Sequence, residues 1–271
     1  MLPEHLLGIY KPENDIWGLP QEFVGLTLYP ILISNKKAET LFYKYICVPK
    51  SHIQDADVLR MSYLKFLLLI VSTNLGMTVE SVFDEVCELM SCITGIEKDE
   101  IIIDVQSDSD EASFSNIRVG INVGDVYIDE SDFETLREIL LIQNGLSLRF
   151  IEDYDPVMEQ RLLAKTSQDK STDEDRILVF ASLLGKTIKE IKDYTLYQFK
   201  FHFQRMAMVE DFRMYKPLEI SSGAASKGSK IKGYYSMEKQ QGRYDSILLD
   251  KDAFVKESGL FSDSSVQTIN R

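Results

Sequence analysis

Cysteine and histidine are both scarce, with three of each among 271 residues. The cysteines, Cys47, Cys87 and Cys92, form no Cys-x-x-Cys pair, and the histidines show no paired spacing. This excludes a zinc site built on a local motif. Few unpaired thiols are typical of a reduced compartment rather than of a disulfide scaffold. We therefore expect no metal ligands, and a cytoplasmic protein whose cysteines are small buried side chains.

Long apolar runs are also missing. The most hydrophobic stretch, Phe66–Val71, is continuous for only six residues, whereas a membrane-spanning helix needs about 20. The first ten residues carry Glu4 where a secretory signal has basic residues, and Pro3 and Gly8 interrupt them. We expect a soluble protein with neither a membrane span nor a secretory signal.

The motifs that mark catalytic and cofactor sites are absent from the sequence. An EF-hand calcium loop counted from Asp104 would place Ser109 where the loop needs glycine. Gly120 and Gly124 have neither the spacing of a dinucleotide fingerprint nor the lysine of a phosphate-binding loop. No Gly-x-Ser-x-Gly elbow occurs. We predict no catalytic, cofactor-binding or metal-ligating residue, and we expect the protein not to be an enzyme.

Basic residues are outnumbered by acidic ones, 30 against 43, and the imbalance is local. The stretch Thr73–Thr135 holds 16 acidic residues but only two basic ones, Lys98 and Arg118. Such a surface repels phosphate groups and argues against a nucleic-acid partner. It could instead be a solvated face, steer a basic partner, or imitate a phosphate backbone.

Hydrophobic periodicity predicts a mainly helical α+β protein, in which a helical body carries a small α+β insert with a β-hairpin and a flexible C-terminal tail. The predicted units are an N-terminal arm and helical region at 1–95, an acidic α+β unit at 96–151, a small helical bundle at 152–217, and a flexible tail with a docking segment at 218–271.

The first unit alternates like a strand over Phe23–Ile33. Three helices follow from the apolar spacing and from start and stop signals. They are predicted over Lys36–Tyr45, over Asp57–Asn74, and from Thr78 as N-cap to Gly95.

The acidic unit switches to a two-residue period. β-Branched residues at Glu100–Gln106 and Asn116–Val123 predict a hairpin around an acidic, serine-rich loop. A capping box at Ser131–Glu134 predicts a helix that ends at Asn144-Gly145. Shorter strands are predicted at Gly124–Ile128 and Leu146–Ile151.

The third unit reads as consecutive helices with local start signals. Capping boxes at Thr187–Glu190 and Thr195–Gln198 start a short helix and the longest helix of the chain. The long helix is predicted to end near Tyr215, because Pro217 bars its continuation. Two earlier helices are predicted at Val157–Lys165 and Thr172–Leu184.

After Pro217 the composition changes. Ser221–Gly233 is rich in serine, glycine, alanine and lysine, which predicts a flexible tether. Tyr234 and Tyr235 follow within a basic segment that ends near Arg243. Basic segments with aromatic residues can bind nucleic acid, but docking on the chain's own acidic unit or on a neighbouring subunit is an equal alternative.

Two stretches resemble known proteins. Gly25–Val71 resembles the N-terminal part of proteins encoded by phages and prophages of Gram-positive bacteria. Asp173–Tyr215 resembles the helical modules of phage tail assembly chaperones. Those modules place a short helix, a characteristic turn and a long amphipathic helix in succession, and the turn corresponds here to KTIKEIKDYTLYQF, Lys186–Phe199.

This resemblance implies a non-enzymatic phage protein that binds other tail proteins during tail assembly. In that family the chaperone binds the long, aggregation-prone helices of the tape measure protein before tail tube subunits polymerise around it. The implied partners are the tape measure or tube protein, and the implied location is the cytoplasm of the infected host cell.

The candidate partner-binding residues are apolar or aromatic. A helix-binding surface needs apolar side chains on a soluble body, and phenylalanine and methionine provide adaptable contacts. We therefore single out Phe199, Phe203 and Met206 on the long helix, and Tyr234 and Tyr235 in the tail. The alternative is that the helical stripe only packs its own bundle.

Two other functions stay open. The protein could be a structural component of the virion, in the tail or baseplate, whose C-terminal arm reaches a neighbour. It could also be an acidic inhibitor that imitates DNA through Thr73–Thr135 and binds a basic host protein. Assembly with further copies of the chain is open as well.

Overall fold

The computed structural model describes residues 2–53, 55–68, 76, 78–107, 117–165, 173–221 and 243–244. These residues confirm the predicted fold class, a mainly helical α+β protein with two small antiparallel sheets. The predicted tether and most of the predicted tail lie outside the described residues. The helices are α1 (Pro12–Trp17), α2 (Lys36–Tyr45), α3 (Ala56–Arg60), α4 (Tyr63–Phe66), α5 (Val79–Thr94), α6 (Glu130–Gln143), α7 (Leu148–Glu152), α8 (Pro156–Lys165), α9 (Asp173–Leu184), α10 (Ile188–Ile191) and α11 (Leu196–Ser221).

The predicted extended segment Phe23–Ile33 is a hairpin. Strands β1 (Gln21–Phe23) and β2 (Leu26–Leu28) pair antiparallel through a two-residue turn. Val24 and Gly25, the turn residues, both have positive φ, +43° and +86°. Two-residue hairpin turns need this geometry, which β-branched residues rarely adopt.

The predicted helix Asp57–Asn74 is wrong as a continuous element. Met61 and Ser62 have extended backbone, and they separate α3 from α4. The Ser62 side chain accepts a hydrogen bond from the Lys65 amide, so it caps α4 anew. The break brings Tyr63 into the core, where its hydroxyl donates to the Tyr45 carbonyl at 2.7 Å. Residues 69–74, the remainder of the prediction, lie outside the described residues.

The predicted helix after Thr78 is confirmed as α5. The Thr78 hydroxyl accepts from the Ser81 amide at 3.2 Å, and Gly95 closes the helix in the left-handed conformation. One face of α5 is buried, including Val86 and Met90.

The predicted hairpin is confirmed in a three-stranded antiparallel sheet of order β3-β4-β5. Its strands are β3 (Ile101–Ser107), β4 (Ile117–Val123) and β5 (Val126–Ile128). Ile121 of β4 faces Ile103 on one side and Ile128 on the other. The loop between β3 and β4 lies outside the described residues.

Helix α6 begins earlier than its predicted capping box. Asp129 is the N-cap, and its carboxylate accepts from the Ser131 and Asp132 amides at 2.8 Å each. Glu134, predicted to complete a box, accepts instead from the Tyr63 amide at 2.6 Å. A competing local cap and a tertiary donor therefore override the Ser-x-x-Glu pattern.

The predicted strand Leu146–Ile151 is wrong, because this segment contains α7. Ser147 accepts from the Phe150 amide at 3.2 Å and starts a helical turn. Ile151 is the buried residue of α7, so a short apolar run alone did not distinguish helix from strand.

Both capping boxes of the bundle are confirmed. Thr187 and Glu190 form the reciprocal pair at α10. The Thr195 amide donates to Gln198 Oε1, and the Gln198 amide donates to Thr195 Oγ1, each at 3.1 Å. Helix α11 nevertheless runs through Pro217, so the predicted stop there is wrong. A proline removes one helical hydrogen bond but does not force a helix to end.

The start of α11 is tied to the N-terminal part of the chain. The Leu196 amide donates to the Ile31 carbonyl, and the Ile33 amide donates to the Tyr194 carbonyl, both at 2.9 Å. Leu32 and Thr195 form an isolated antiparallel bridge between these bonds. One hydrophobic cluster consequently extends from the N-terminal turn to the first residues of α11.

Candidate partner-binding surface

The predicted partner-binding residues of α11 are half-buried. Phe199 packs edge-on against Phe180 of α9, with ring centroids 4.9 Å apart at 77°. Phe203 lies 6.1 Å from Phe199, ring centre to ring centre. Phe180 is fully buried, and Phe203 and Met206 also pack against the core. Part of this stripe therefore stabilises the bundle itself, as the alternative interpretation expected.

The predicted tail residues Tyr234 and Tyr235 lie outside the described residues. The structure does describe two residues further along the tail, Arg243 and Tyr244.

Helices α8 to α11 display many apolar side chains to solvent. Met214 and Leu218 are 60% and 61% exposed on successive turns near the end of α11. A segment that exposes this many apolar side chains can contact another protein. The other exposed large apolar residues of these helices are Val157, Leu163, Leu178, Val179, Leu183, Ile188, Phe201, Tyr215 and Ile220.

Arg243 docks on α7 and α8. Its Nε donates to Glu159 Oε2 at 2.9 Å, and its Nη1 donates to the Phe150 carbonyl at 3.4 Å. The guanidinium carbon lies 5.5 Å from the centre of the Phe150 ring and 5.0 Å from that of Tyr154. Both distances are within the range of a cation–π contact.

Tyr244 contacts the chain next to Arg243. Its hydroxyl accepts from the Asp155 amide at 2.6 Å and faces the Asp155 carbonyl at 3.1 Å and Glu159 Oε2 at 3.3 Å. Asp155 is held in place because its carboxylate caps α8, accepting from the Val157 and Met158 amides. We refer to Phe150, Tyr154, Asp155 and Glu159 together as the arginine cradle.

Arg137 of α6 is a second arginine with a specific environment, and it is 1% exposed. Its Nε and Nη2 donate to the carbonyls of Ile46 and Val48 at 3.0 and 3.1 Å. The guanidinium lies 3.5 Å from the centre of the Tyr63 ring. Glu152 Oε1 is 2.8 Å from Nη2, an ion-pair distance without hydrogen-bond geometry. These contacts connect α6, α4, α7 and the segment after α2.

The cysteines are not activated. Burial raises the pKa of the Cys47 thiol to about 12, although the charges of Arg137 and Lys200 act to lower it. Burial also raises the pKa of Cys87 and of Cys92. A protonated thiol is a poor nucleophile and a poor metal ligand.

Several carboxylates of the acidic stretch are paired with lysines across α2 and α5. Lys37 lies 2.6 Å from Glu88, and Lys44 lies 2.6 Å from Glu85. Burial acts to raise the pKa of Glu85, but hydrogen bonds from Lys44 and Tyr45 hold it below its usual value. An open groove of about 540 Å³ follows this seam. The described part of the acidic surface is therefore partly neutralised.

A buried carboxyl group lies where α1 meets α11. Asp15 accepts from the Tyr10 hydroxyl at 2.6 Å and from Gln21 Nε2 at 3.2 Å. Burial raises its pKa to about 6, although both hydrogen bonds oppose the shift. Nearby, Gln198 Nε2 of α11 donates to the Ile16 carbonyl at 3.0 Å.

Within the residues that the structure describes, no three side chains of histidine, cysteine, aspartate or glutamate gather as metal ligands would. None of the helices there combines the length and the hydrophobicity that a bilayer span requires. Comparison with protein-family models, with curated proteins and with solved structures gave no match.

No sequence pattern predicted the arginine cradle. In the sequence Arg243 only marks the end of a basic segment, and its contacts lie more than 80 residues away along the chain. The nearest signal was the interleaving of basic and aromatic residues in the tail.

Proposed function

We propose that the chain is a non-enzymatic phage protein that binds other tail proteins during tail assembly, as a chaperone for tape measure helices. The observation that carries the proposal is the apolar surface of α8 to α11. Amphipathic helices bind to such surfaces through their own apolar faces. The resemblance of Asp173–Tyr215 to tail chaperone modules supports the same assignment.

The end of α11 is the part of this surface best suited to binding. Met214 and Leu218 are four residues apart, so they lie on one face of the helix. Both are more than half exposed, whereas Phe199, Phe203 and Met206 are partly used by the bundle. We assign the primary contact to Met214 and Leu218, and a supporting role to Phe203 and Met206.

Light scattering of a phage tape measure protein, measured with and without this chain, tests the proposal. We expect the wild-type chain to suppress aggregation at equimolar concentration. The Met214→Asp/Leu218→Asp variant should bind at least 10-fold more weakly, because charge replaces apolar contact. Ile102→Asp is the matched control, since Ile102 on β3 is equally exposed at 60%.

Two results would contradict the proposal: no suppression by the wild-type chain, or equal loss in the Ile102→Asp control. Mass spectrometry of purified virions separates the chaperone from a structural tail or baseplate component. A chaperone should be absent from the particle, whereas a structural component is present in it.

A further inference from the structure

The arginine cradle has the composition of a peptide-binding site. Two aromatic rings, one carboxylate and one backbone carbonyl all meet a single arginine side chain, which is 17% exposed. A planar guanidinium can stack on rings and hydrogen-bond in its own plane at the same time, which a lysine ammonium cannot do. The cradle is therefore selective for arginine.

The position after the arginine is also recognised. The Tyr244 hydroxyl meets the amide and carbonyl of Asp155 as well as Glu159 Oε2. Glu159 thus contacts both ligand residues, and Asp155 is fixed by its role as the cap of α8. A different residue at either ligand position would leave one of these polar groups without its partner.

We propose that the arginine cradle is a docking site for an Arg-Tyr dipeptide, and that the chain's own Arg243 and Tyr244 occupy it as an intramolecular ligand. Residues 222–242 connect this ligand to the end of α11. Because the ligand and the site belong to one chain, docking is intramolecular, and we expect an effective concentration of order 1 mM. The docked pair attaches the tail to α7 and α8, and its release would free the cradle for another Arg-Tyr segment.

A labelled peptide of residues 239–248 tests the proposal by fluorescence anisotropy on the full chain. The Arg243→Ala/Tyr244→Ala variant has an empty cradle, so it should bind the peptide. The wild-type chain should bind at least 10-fold more weakly, because its own segment competes. Adding Glu159→Gln to the empty-cradle variant should weaken binding at least 10-fold, and so should replacing the peptide's arginine by lysine.

Equal binding by the wild-type and empty-cradle chains would overturn the proposal. So would no binding by the empty-cradle chain up to 1 mM peptide, or unchanged binding with Glu159→Gln. Circular dichroism spectra that match the wild type show that each variant is folded.

A mixing experiment distinguishes the chain's own segment from that of a second copy. A Glu159→Gln chain has a weakened site, and an Arg243→Ala chain has a ligand without its arginine. We expect each, the wild type and their mixture to have the mass of one chain by size-exclusion light scattering. A wild-type dimer that becomes a monomer with Arg243→Ala would overturn the intramolecular assignment and identify the second copy as the occupant.

Discussion

The described residues of 2–152, here called the body, and the C-terminal helices α8 to α11 use their apolar residues in opposite ways. Helix α6, in the body, is buried on most of its surface, including the charged Arg137. Among the described residues of 156–221, the buried apolar side chains are Phe180, Ala181, Ile191 and Leu196. The single hydrophobic cluster therefore lies mainly in the body, whereas the C-terminal helices join it at a few points and expose many apolar side chains. Burial of apolar side chains stabilises the first region, whereas the exposed apolar side chains of the second contribute little to stability and are the ones that the proposed function uses.

The largest effect should come from the polar centre of the body. Arg137→Ala removes two hydrogen bonds to carbonyls and the Tyr63 stacking, and it leaves Glu152 without its ion pair. Two buried carbonyls left without their donors cost about 1–3 kcal/mol each, and loss of the ion pair with the partly exposed Glu152 adds to this cost. Urea unfolding measures the change. Arg149→Ala, at an exposed ion pair 3.8 Å long, should change the free energy of unfolding by less than about 0.5 kcal/mol. Equal effects at the two positions would show that the environment of Arg137 contributes no more to stability than an exposed ion pair does.

A somewhat smaller loss of stability is expected at Phe180, where α9 packs against α11. Phe180 contacts Tyr194, Phe199 and His202 through edge-on rings. Phe180→Ala should lower the free energy of unfolding by about 3 kcal/mol, since it leaves a cavity. Hydrogen exchange should localise the loss to α9–α11 and leave α6 protected. Uniform loss of protection would show that the two regions unfold as one unit.

The stability of the contact between α1 and α11 should depend on pH. In the folded chain the pKa of Asp15 is raised from 3.8 to about 6. The protonated carboxyl group therefore makes its full contribution to the free energy of unfolding below about pH 3.8. That contribution is lost as the pH rises through 6. Between pH 4.5 and 7 the wild type should lose about 2 kcal/mol relative to Asp15→Asn. Thermal unfolding of both proteins across this range measures the difference, and parallel pH profiles would contradict the assignment.

The smallest effect on stability is expected at the end of α11. Met214→Asp/Leu218→Asp should change the free energy of unfolding by less than about 0.5 kcal/mol, because exposed side chains away from the core contribute little. Urea unfolding checks this expectation. A large loss would mean that these side chains belong to a core rather than to a binding surface.

Local signals predicted the parts of the fold that depend on neighbouring residues. The boxes at Thr187–Glu190 and Thr195–Gln198 formed as expected, because both partners lie within one helical turn. The break at Ser62 was missed, because the apolar pattern continues across it while burial of Tyr63 selects the bend. The sequence did not predict helix α7, because its apolar residues fit both the helical and the strand period.

Local signals likewise predicted only a part of the candidate partner-binding surface. Helical spacing identified Phe199, Phe203 and Met206 as one stripe, but spacing cannot show which neighbours cover it. Arg137 gave no signal, since an arginine in an amphipathic helix normally lies at the surface. The docking of Arg243 could not be predicted, because the aromatic rings that surround it lie far away in the sequence.

The pairing of Ile31 and Ile33 with Tyr194 and Leu196 has a consequence for synthesis on the ribosome. The segment after β2 can form this pairing only after about 160 further residues have been translated. The N-terminal half of the nascent chain therefore leaves the exit tunnel with backbone groups that lack their hydrogen-bond partners and with apolar surface still exposed. Such a state is prone to aggregation. Chaperones that hold nascent chains should matter more for this protein than for one whose neighbouring segments pair as they emerge.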